Sequence, residues 1–189
     1  MSIKKNIVVA IKLTLLSLLI FSIVYPLLLG GVGQLFADKT AGSIIYQDGE
    51  AVGSRLIGQN FESDSYFISR LSSINYDAST SGSDNLAASN PKLQHRIAAD
   101  LEEIEKKYHP GNKAVPADLI TESGSALDPH ISLEAAYFQV SYLAEQTGIT
   151  ESTLNSLIEK HTESKLLGLF GESRVNVLEL NLALEEVLD

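Results

Sequence analysis

A long apolar run, residues 7–30, constrains this chain more than any other feature. As a helix rising about 1.5 Å per residue it reaches roughly 36 Å, slightly more than the ~30 Å hydrocarbon core of a bilayer. Its composition favours insertion. Twelve of the residues between Leu13 and Leu29 are Leu, Ile, Val or Phe, each favourable by about 0.3–0.6 kcal/mol in a span and together by roughly 4–7 kcal/mol. Lys12 is the one charge inside the run, close enough to its N-terminal end for the long stem to carry the ammonium to the headgroups. Lys4, Lys5 and Lys12 are the only charges before Asp38, so the positive-inside rule holds the N-terminus in the cytoplasm and sends the rest outside. A cleaved signal peptide fits less well, because the apolar stretch is too long and Leu35 occupies the −3 position before Ala37, where a small residue belongs.

Pro26 interrupts the span. A soluble helix loses about 3 kcal/mol at an interior proline, whereas a membrane helix tolerates one when a neighbouring helix or water satisfies the freed carbonyl. Tyr25 and Pro26 are therefore candidate contacts with a partner helix.

The 152 residues that follow, 38–189, suffice for one domain with its own core. Taking the three N-terminal lysines from the formal total of −10 leaves −13 on this part. That charge argues against nucleic acid as a partner and favours the company of cations. The membrane association is carried by the lipid-spanning helix. With no cysteine, the fold has neither disulfides nor thiolate metal sites and must rest on apolar burial.

Residues 42–47 and 51–59 read as strands joined by Asp48-Gly49, the pair favoured in the type I′ turn of a hairpin. Residues 66–69 read as a further strand and 77–90 as a polar loop. Asn90-Pro91 is an N-cap and first-turn pair opening a helix to about Lys107, with Leu93, Ile97, Leu101 and Ile104 at helical spacing. On it, Glu102 with Lys106 and Glu103 with Lys107 form i,i+4 pairs of a solvated face. Ser132 caps a second helix ending at Gly148, and Thr150 caps a third. Residues 166–169 and 174–177 are strand-like. Asn176 with Glu179 reads as a capping box for a last helix built on Leu178, Leu182, Leu184 and Val187. The fold class is thus an α+β extracytoplasmic domain anchored by one N-terminal transmembrane helix: residues 1–6 cytoplasmic, 7–30 in the membrane, 31–41 a linker, and 42–189 the domain.

Catalysis finds little support. Ser123 and Ser125 lie close in sequence to Asp128 and His130, the residue types of a nucleophile–base pair, but there is no Gly-x-Ser-x-Gly elbow at a strand-to-helix turn. A membrane-anchored extracytoplasmic serine hydrolase is the alternative function. His95, His109, His130 and His161 are scattered without ligand spacing, so no metal or other cofactor is assigned to the chain.

An ordered string of segments does carry a signal. It runs through Tyr25-Pro26-Leu27, Gly42-Ser43-Ile44-Ile45, Leu56-Ile57-Gly58-Gln59-Asn60-Phe61, Tyr66-Phe67 with Arg70, and Ser89-Asn90-Pro91. It continues with Val115-Pro116-Ala117-Asp118-Leu119, Leu127-Asp128-Pro129-His130-Ile131-Ser132 and Arg174-Val175-Asn176-Val177-Leu178-Glu179-Leu180-Asn181. In order and spacing this resembles the KdpC family, the C subunits of bacterial potassium-transporting Kdp ATPases. The resemblance implies a non-catalytic, single-pass accessory subunit of the bacterial plasma (inner) membrane. Its partners are then a channel-like potassium-binding subunit, a P-type ATPase subunit carrying the phosphorylated aspartate, and often a small fourth subunit. ATP, Mg and potassium belong to that complex. The family is described as a catalytic chaperone raising the ATP affinity of the ATPase subunit, through a Ser-Gly segment that is Ser81-Gly82-Ser83-Asp84-Asn85 here. Ser83 and Asp84 depart from the family's usual Gly-Ser at those positions, Leu71 stands where Pro is common, and Ser141-Tyr142 where Pro-Arg is usual. Asp128, His130, Gln139 and Arg174 join Tyr25 and Pro26 as candidate partner contacts.

Overall fold

The computed structural model describes residues 3–188. Met1 and Ser2 of the expected cytoplasmic N-terminus, and Asp189 at the end of the expected domain, lie outside the described residues. The chain divides into two compact units, 1–44 and 45–189.

The first unit is helical almost throughout. Helix α1 (Ile3–Leu19) passes through a π-helical turn (Ile20–Val24) into α2 (Tyr25–Gly33), a 3-10 turn (Gln34–Phe36) and the short α3 (Ala37–Thr40). None of these elements buries a residue, and the whole run is long and apolar enough to cross a membrane. Its 38 residues extend to about 57 Å at helical rise, well beyond a ~30 Å core. Helical structure continues through residues 31–40, within the expected 31–41 linker. It bends at Phe36 (φ −128°, ψ 57°). A Cβ on Gly33 would lie 2.8 Å from the Thr40 methyl, so Thr40 folds back over a position that only glycine leaves open.

Pro26 accounts for the π turn. It has no N–H to give the carbonyl of Ser22, and its ring would crowd that carbonyl in a regular α-helix. The backbone widens instead, so that the Tyr25 N–H reaches the carbonyl of Ile20, five residues back.

The hairpin forms as the sequence predicts, from β1 (Ile44–Gln47) and β2 (Glu50–Ser54). Asp48 (φ 52°) and Gly49 (φ 88°) both take the left-handed conformation that a type I′ turn requires. The second strand stops at Ser54 rather than reaching residue 59.

A three-stranded antiparallel sheet, ordered β3–β5–β4, lies at the centre of the body. It comprises β3 (His130–Ser132), β4 (Thr162–Glu163) and β5 (Arg174–Asn176). Ile131 pairs with Val175, His130 with Asn176 and Glu163 with Arg174. The sequence signal for β3 and β4 is three and two residues long, too short for a visible alternation. The strand-like 166–169 segment is instead a tight turn closed by a single bridge between Leu166 and Phe170.

The helices keep their predicted boundaries closely. Helix α4 (Pro91–Tyr108) opens with the Asn90 side chain accepting from the Lys92 N–H. Helix α5 (Leu133–Thr147) is capped by Ser132 and closes on Gly148 at φ 74°, while Thr150 caps α6 (Glu151–Lys160). Helix α7 (Val177–Leu188) follows β5 directly. Half of its capping box forms: the Glu179 N–H donates to Asn176 Oδ1 (3.3 Å), but the Glu179 carboxylate pairs with Arg55 at 2.6 Å. Lys107 likewise pairs with Asp64 at 2.7 Å instead of Glu103, lying over the ring of Tyr142. Phe67, Leu119, Ile131, Leu143, Leu154, Ile158, Val175, Leu180 and Leu184 form the innermost core.

Residues 66–69 are not a strand, and two buried amides explain how they are held. Phe67 donates its N–H to Asn181 Oδ1 (2.8 Å) and accepts from Asn181 Nδ2 (2.9 Å). Next to it, the Ile68 N–H donates to Gln139 Oε1 (2.8 Å), and Gln139 Nε2 returns to the Ile68 carbonyl (3.4 Å). Side chains of α5 and α7 thus supply the donor–acceptor pairs that a neighbouring strand would give, satisfying backbone groups that burial would otherwise leave bare.

Candidate functional site

The residues singled out by sequence separate into a charged seam, a core clamp and the long apolar helix. The seam begins at Arg70. Its Nη1 lies 3.4 Å from Asp128 Oδ2, and its Nη2 donates to the Glu122 carbonyl at 3.4 Å. Asp128 folds as an Asx turn, its Oδ1 accepting from the backbone N–H of His130 (3.0 Å). The same oxygen stands 3.2 Å from His130 Nδ1. On the far side of the ring, Nε2 faces Glu163 Oε1 at 3.7 Å. Glu163 in turn accepts from Arg174 Nε (2.9 Å) and pairs with Nη2 (2.8 Å), the two residues standing opposite each other in the β4–β5 ladder.

The result is an alternating chain: Arg70, Asp128, His130, Glu163, Arg174. It joins the 60s loop, the approach to β3, and β4 and β5. Asp128 is held below the usual carboxylate range chiefly by the hydrogen bond from His130, with burial opposing and the charge of Arg70 assisting. Backbone packing fixes this position too: Gly58 donates to the Leu127 carbonyl at 2.7 Å, and a Cβ on Gly58 would meet the Asp128 carbonyl oxygen at 2.8 Å. The outer end is open, because the Glu163 and Arg174 side chains are about half exposed.

Three of the sequence candidates, Asp128, His130 and Arg174, are therefore brought together. Gln139 is not with them. It has no exposed surface and serves the 66–69 clamp, so it holds a loop from inside the core. Tyr25 and Pro26 lie in the other unit, with Tyr25 half exposed on its helix. Glu163 is the seam member that sequence reasoning misses: it sits in a two-residue strand with no motif around it. Arg70 stands in a recognisable segment, but nothing local links it to Asp128.

The serines do not complete a catalytic set. Ser123 Oγ accepts from the Asp128 N–H (3.3 Å) and Ser125 Oγ from the Leu127 N–H (3.2 Å), each shaping the turn between them. Among the described residues neither hydroxyl is hydrogen-bonded to His130, whose two ring nitrogens face carboxylates. The Ser-Gly segment folds onto this turn: the Gly82 N–H and Ser81 Oγ both donate to the Ser125 carbonyl (3.0 and 3.2 Å), and Asp84 pairs with Lys92 at 2.7 Å. No cluster of three or more His, Cys, Asp or Glu suited to a metal occurs among the described residues. Tyr142, one departure from the family pattern, packs its ring 4.8 Å from that of Tyr108 and beneath Lys107. An arginine at that position would place two cations together.

Comparison with known proteins adds the decisive observation. The family model described as "KdpC: K+-transporting ATPase, c chain" matches residues 7–186. The chain belongs to the KdpC family. A relative from Caldanaerobacter subterraneus subsp. tengcongensis is 48% identical over 179 residues, covering 93% of this chain and 92% of its own. One from Bacillus cereus is 49% identical over 185 residues, covering 94% of each chain. Another from Bacillus anthracis is 48% identical over 182 residues with the same coverage. All three are named "Potassium-transporting ATPase KdpC subunit". The match includes both the apolar helix and every member of the seam.

Proposed function

We propose that this chain is the accessory, single-pass subunit of a potassium-transporting P-type ATPase in a bacterial plasma membrane. The N-terminus lies in the cytoplasm and the α+β body outside it. The family match along residues 7–186 carries this reading, with the relatives' shared name beside it. Among the described residues one helix is long and apolar enough to cross a membrane, which supports an anchor, and Lys4, Lys5 and Lys12 near the start of the apolar run support the orientation.

In this reading ATP, Mg and potassium are bound by the partners, a channel-like potassium-binding subunit and a P-type ATPase subunit, often with a small fourth peptide. The chain contributes assembly and stability. An extracytoplasmic body cannot meet cytoplasmic nucleotide, so an influence on ATP affinity passes through the membrane-embedded partners. Tyr25 and Pro26 are assigned to packing against a partner helix, and the half-exposed Glu163–Arg174 end of the seam to a polar contact with a partner's outer face.

Purification of the tagged full chain in mild detergent tests the reading directly. Recovery of a P-type ATPase with it is expected, and recovery of the chain alone refutes the assignment. Protease added to intact cells is expected to digest the body; protection until the cells are lysed refutes the orientation.

A further inference from the structure

The turn between β4 and β5 exposes large apolar residues. Leu166, Leu167, Leu169 and Phe170 are 70, 82, 79 and 64% exposed, and no charged residue lies between Lys165 and Glu172. Isolated exposed leucines are ordinary, but four large apolar side chains on one five-residue tip form a patch that calls for an occupant.

The backbone of this tip is closed upon itself. The Leu166 N–H donates to the Phe170 carbonyl (2.8 Å) and the Phe170 N–H to the Leu166 carbonyl (3.0 Å). Gly168 donates to Lys165 and Leu169 to Leu166 (3.0 and 3.1 Å). Leu167 adopts φ 54°, ahead of Gly168 at 71°, a conformation that a leucine takes only when its surroundings impose it. Four of the five peptide N–H groups of the tip, all but that of Leu167, are thus paired within it, so it leaves water with few donors stranded, which favours entry into lipid.

We infer that this tip is a second membrane contact, inserting Leu167, Leu169 and Phe170 into the headgroup–acyl boundary of a zwitterionic phospholipid bilayer. The inference rests on the membrane-anchored reading above. An anchored chain keeps a bilayer at high local concentration around each of its loops, and Leu and Phe suit that boundary. Charge specifies the lipid: with −13 on residues 38–189, the body is repelled by anionic headgroups at low ionic strength. Contact through an apolar tip is thus strongest on zwitterionic membranes.

The protein has no tryptophan, so Phe170→Trp makes a single reporter. The full-length variant is reconstituted into phosphatidylcholine vesicles, with flotation measured in parallel. Blue-shifted emission that is quenched by brominated phosphatidylcholine is expected. Both effects should be lost when Leu167→Asp is added and reduced when anionic lipid replaces part of the phosphatidylcholine at low salt. Vesicles that float with an unquenched, red-shifted tryptophan overturn the inference while leaving the anchor intact. A blue shift without bromolipid quenching also overturns it, because protein rather than lipid then covers the tip. Failure to float removes the anchor and the inference together.

Discussion

Asn181→Ala measures how much the amide clamp contributes to the body. Asn181 is 2% exposed and Phe67 fully buried, and the Asn181 side chain bonds both the N–H and the carbonyl of Phe67. The substitution strands two buried backbone groups, each costing about 1–3 kcal/mol, so the expected loss is roughly 2–6 kcal/mol. Against a total of about 5–15 kcal/mol for a domain, this is a large share. With a urea slope of ~2 kcal/mol per molar the midpoint falls by about 1–3 M. Urea unfolding of the full chain in nonionic detergent, followed by far-ultraviolet circular dichroism, provides the measurement. Hydrogen exchange of a peptide covering residues 66–69 should show local loss of protection at the same time. A midpoint change under about 0.3 M, with protection retained, would falsify the clamp. Adding Gln139→Ala should cost less than the sum of the two single changes, because both amides hold adjacent residues of one segment.

Further outcomes follow from the same geometry. Gly58→Ala forces a Cβ against the Asp128 carbonyl and should destabilise the body by about 1–3 kcal/mol, read as a lower urea midpoint; an unchanged midpoint contradicts the close approach. Asp128 titrates below its ordinary 3.8 in the folded protein, so its stabilising contribution is present above that pH and lost as pH falls through the folded value. Asp128→Asn should therefore flatten the acid limb of the stability profile, and an unaltered limb argues that the seam is not coupled to folding. Tyr76, pushed up to about 12 by burial, contributes below its ordinary 10.0 and loses that contribution as pH rises toward the folded value; Tyr76→Phe should remove the corresponding alkaline fall. Tyr25→Leu with Pro26→Ala should lower recovery of the assembled complex in detergent, and full recovery rejects the packing role. If the acidic body concentrates potassium near the transporter, neutralising its partner-facing carboxylates should weaken apparent potassium affinity in dilute medium and have little effect when choline chloride is added. Equal affinity at low ionic strength rejects that role.

Helix boundaries were legible because their signals are local. Asn90, Ser132, Thr150 and Gly148 act through bonds to residues a few positions away, and Asp48-Gly49 sets its turn by its own backbone preference. The seam depends instead on partners distant in sequence. Asp128 and His130 declare their proximity through an Asx turn, whereas Arg70 and Glu163 reach them only after the sheet and the 60s loop are in place. The amide clamp is not visible in the sequence for the same reason. An apolar 66–69 segment calls for strand pairing, and nothing nearby reveals that Gln139 and Asn181 will take the strand's place. The 166–169 run resembles a strand in composition alone, since a closed turn with outward leucines has the residue content of one.

The widened turn before Pro26 has a geometric consequence for the long apolar helix. It contains one residue more than a regular turn, so the stretches before and after it are out of phase by about 100°, the rotation of a single residue. A regular helix would carry the stripe through Leu13 and Leu16 onto Leu27; the extra residue turns Leu27 off it. The two halves of the helix therefore present differently aimed faces, and deleting a single residue between Ile20 and Val24 would turn one face past the other with almost no change in hydrophobicity.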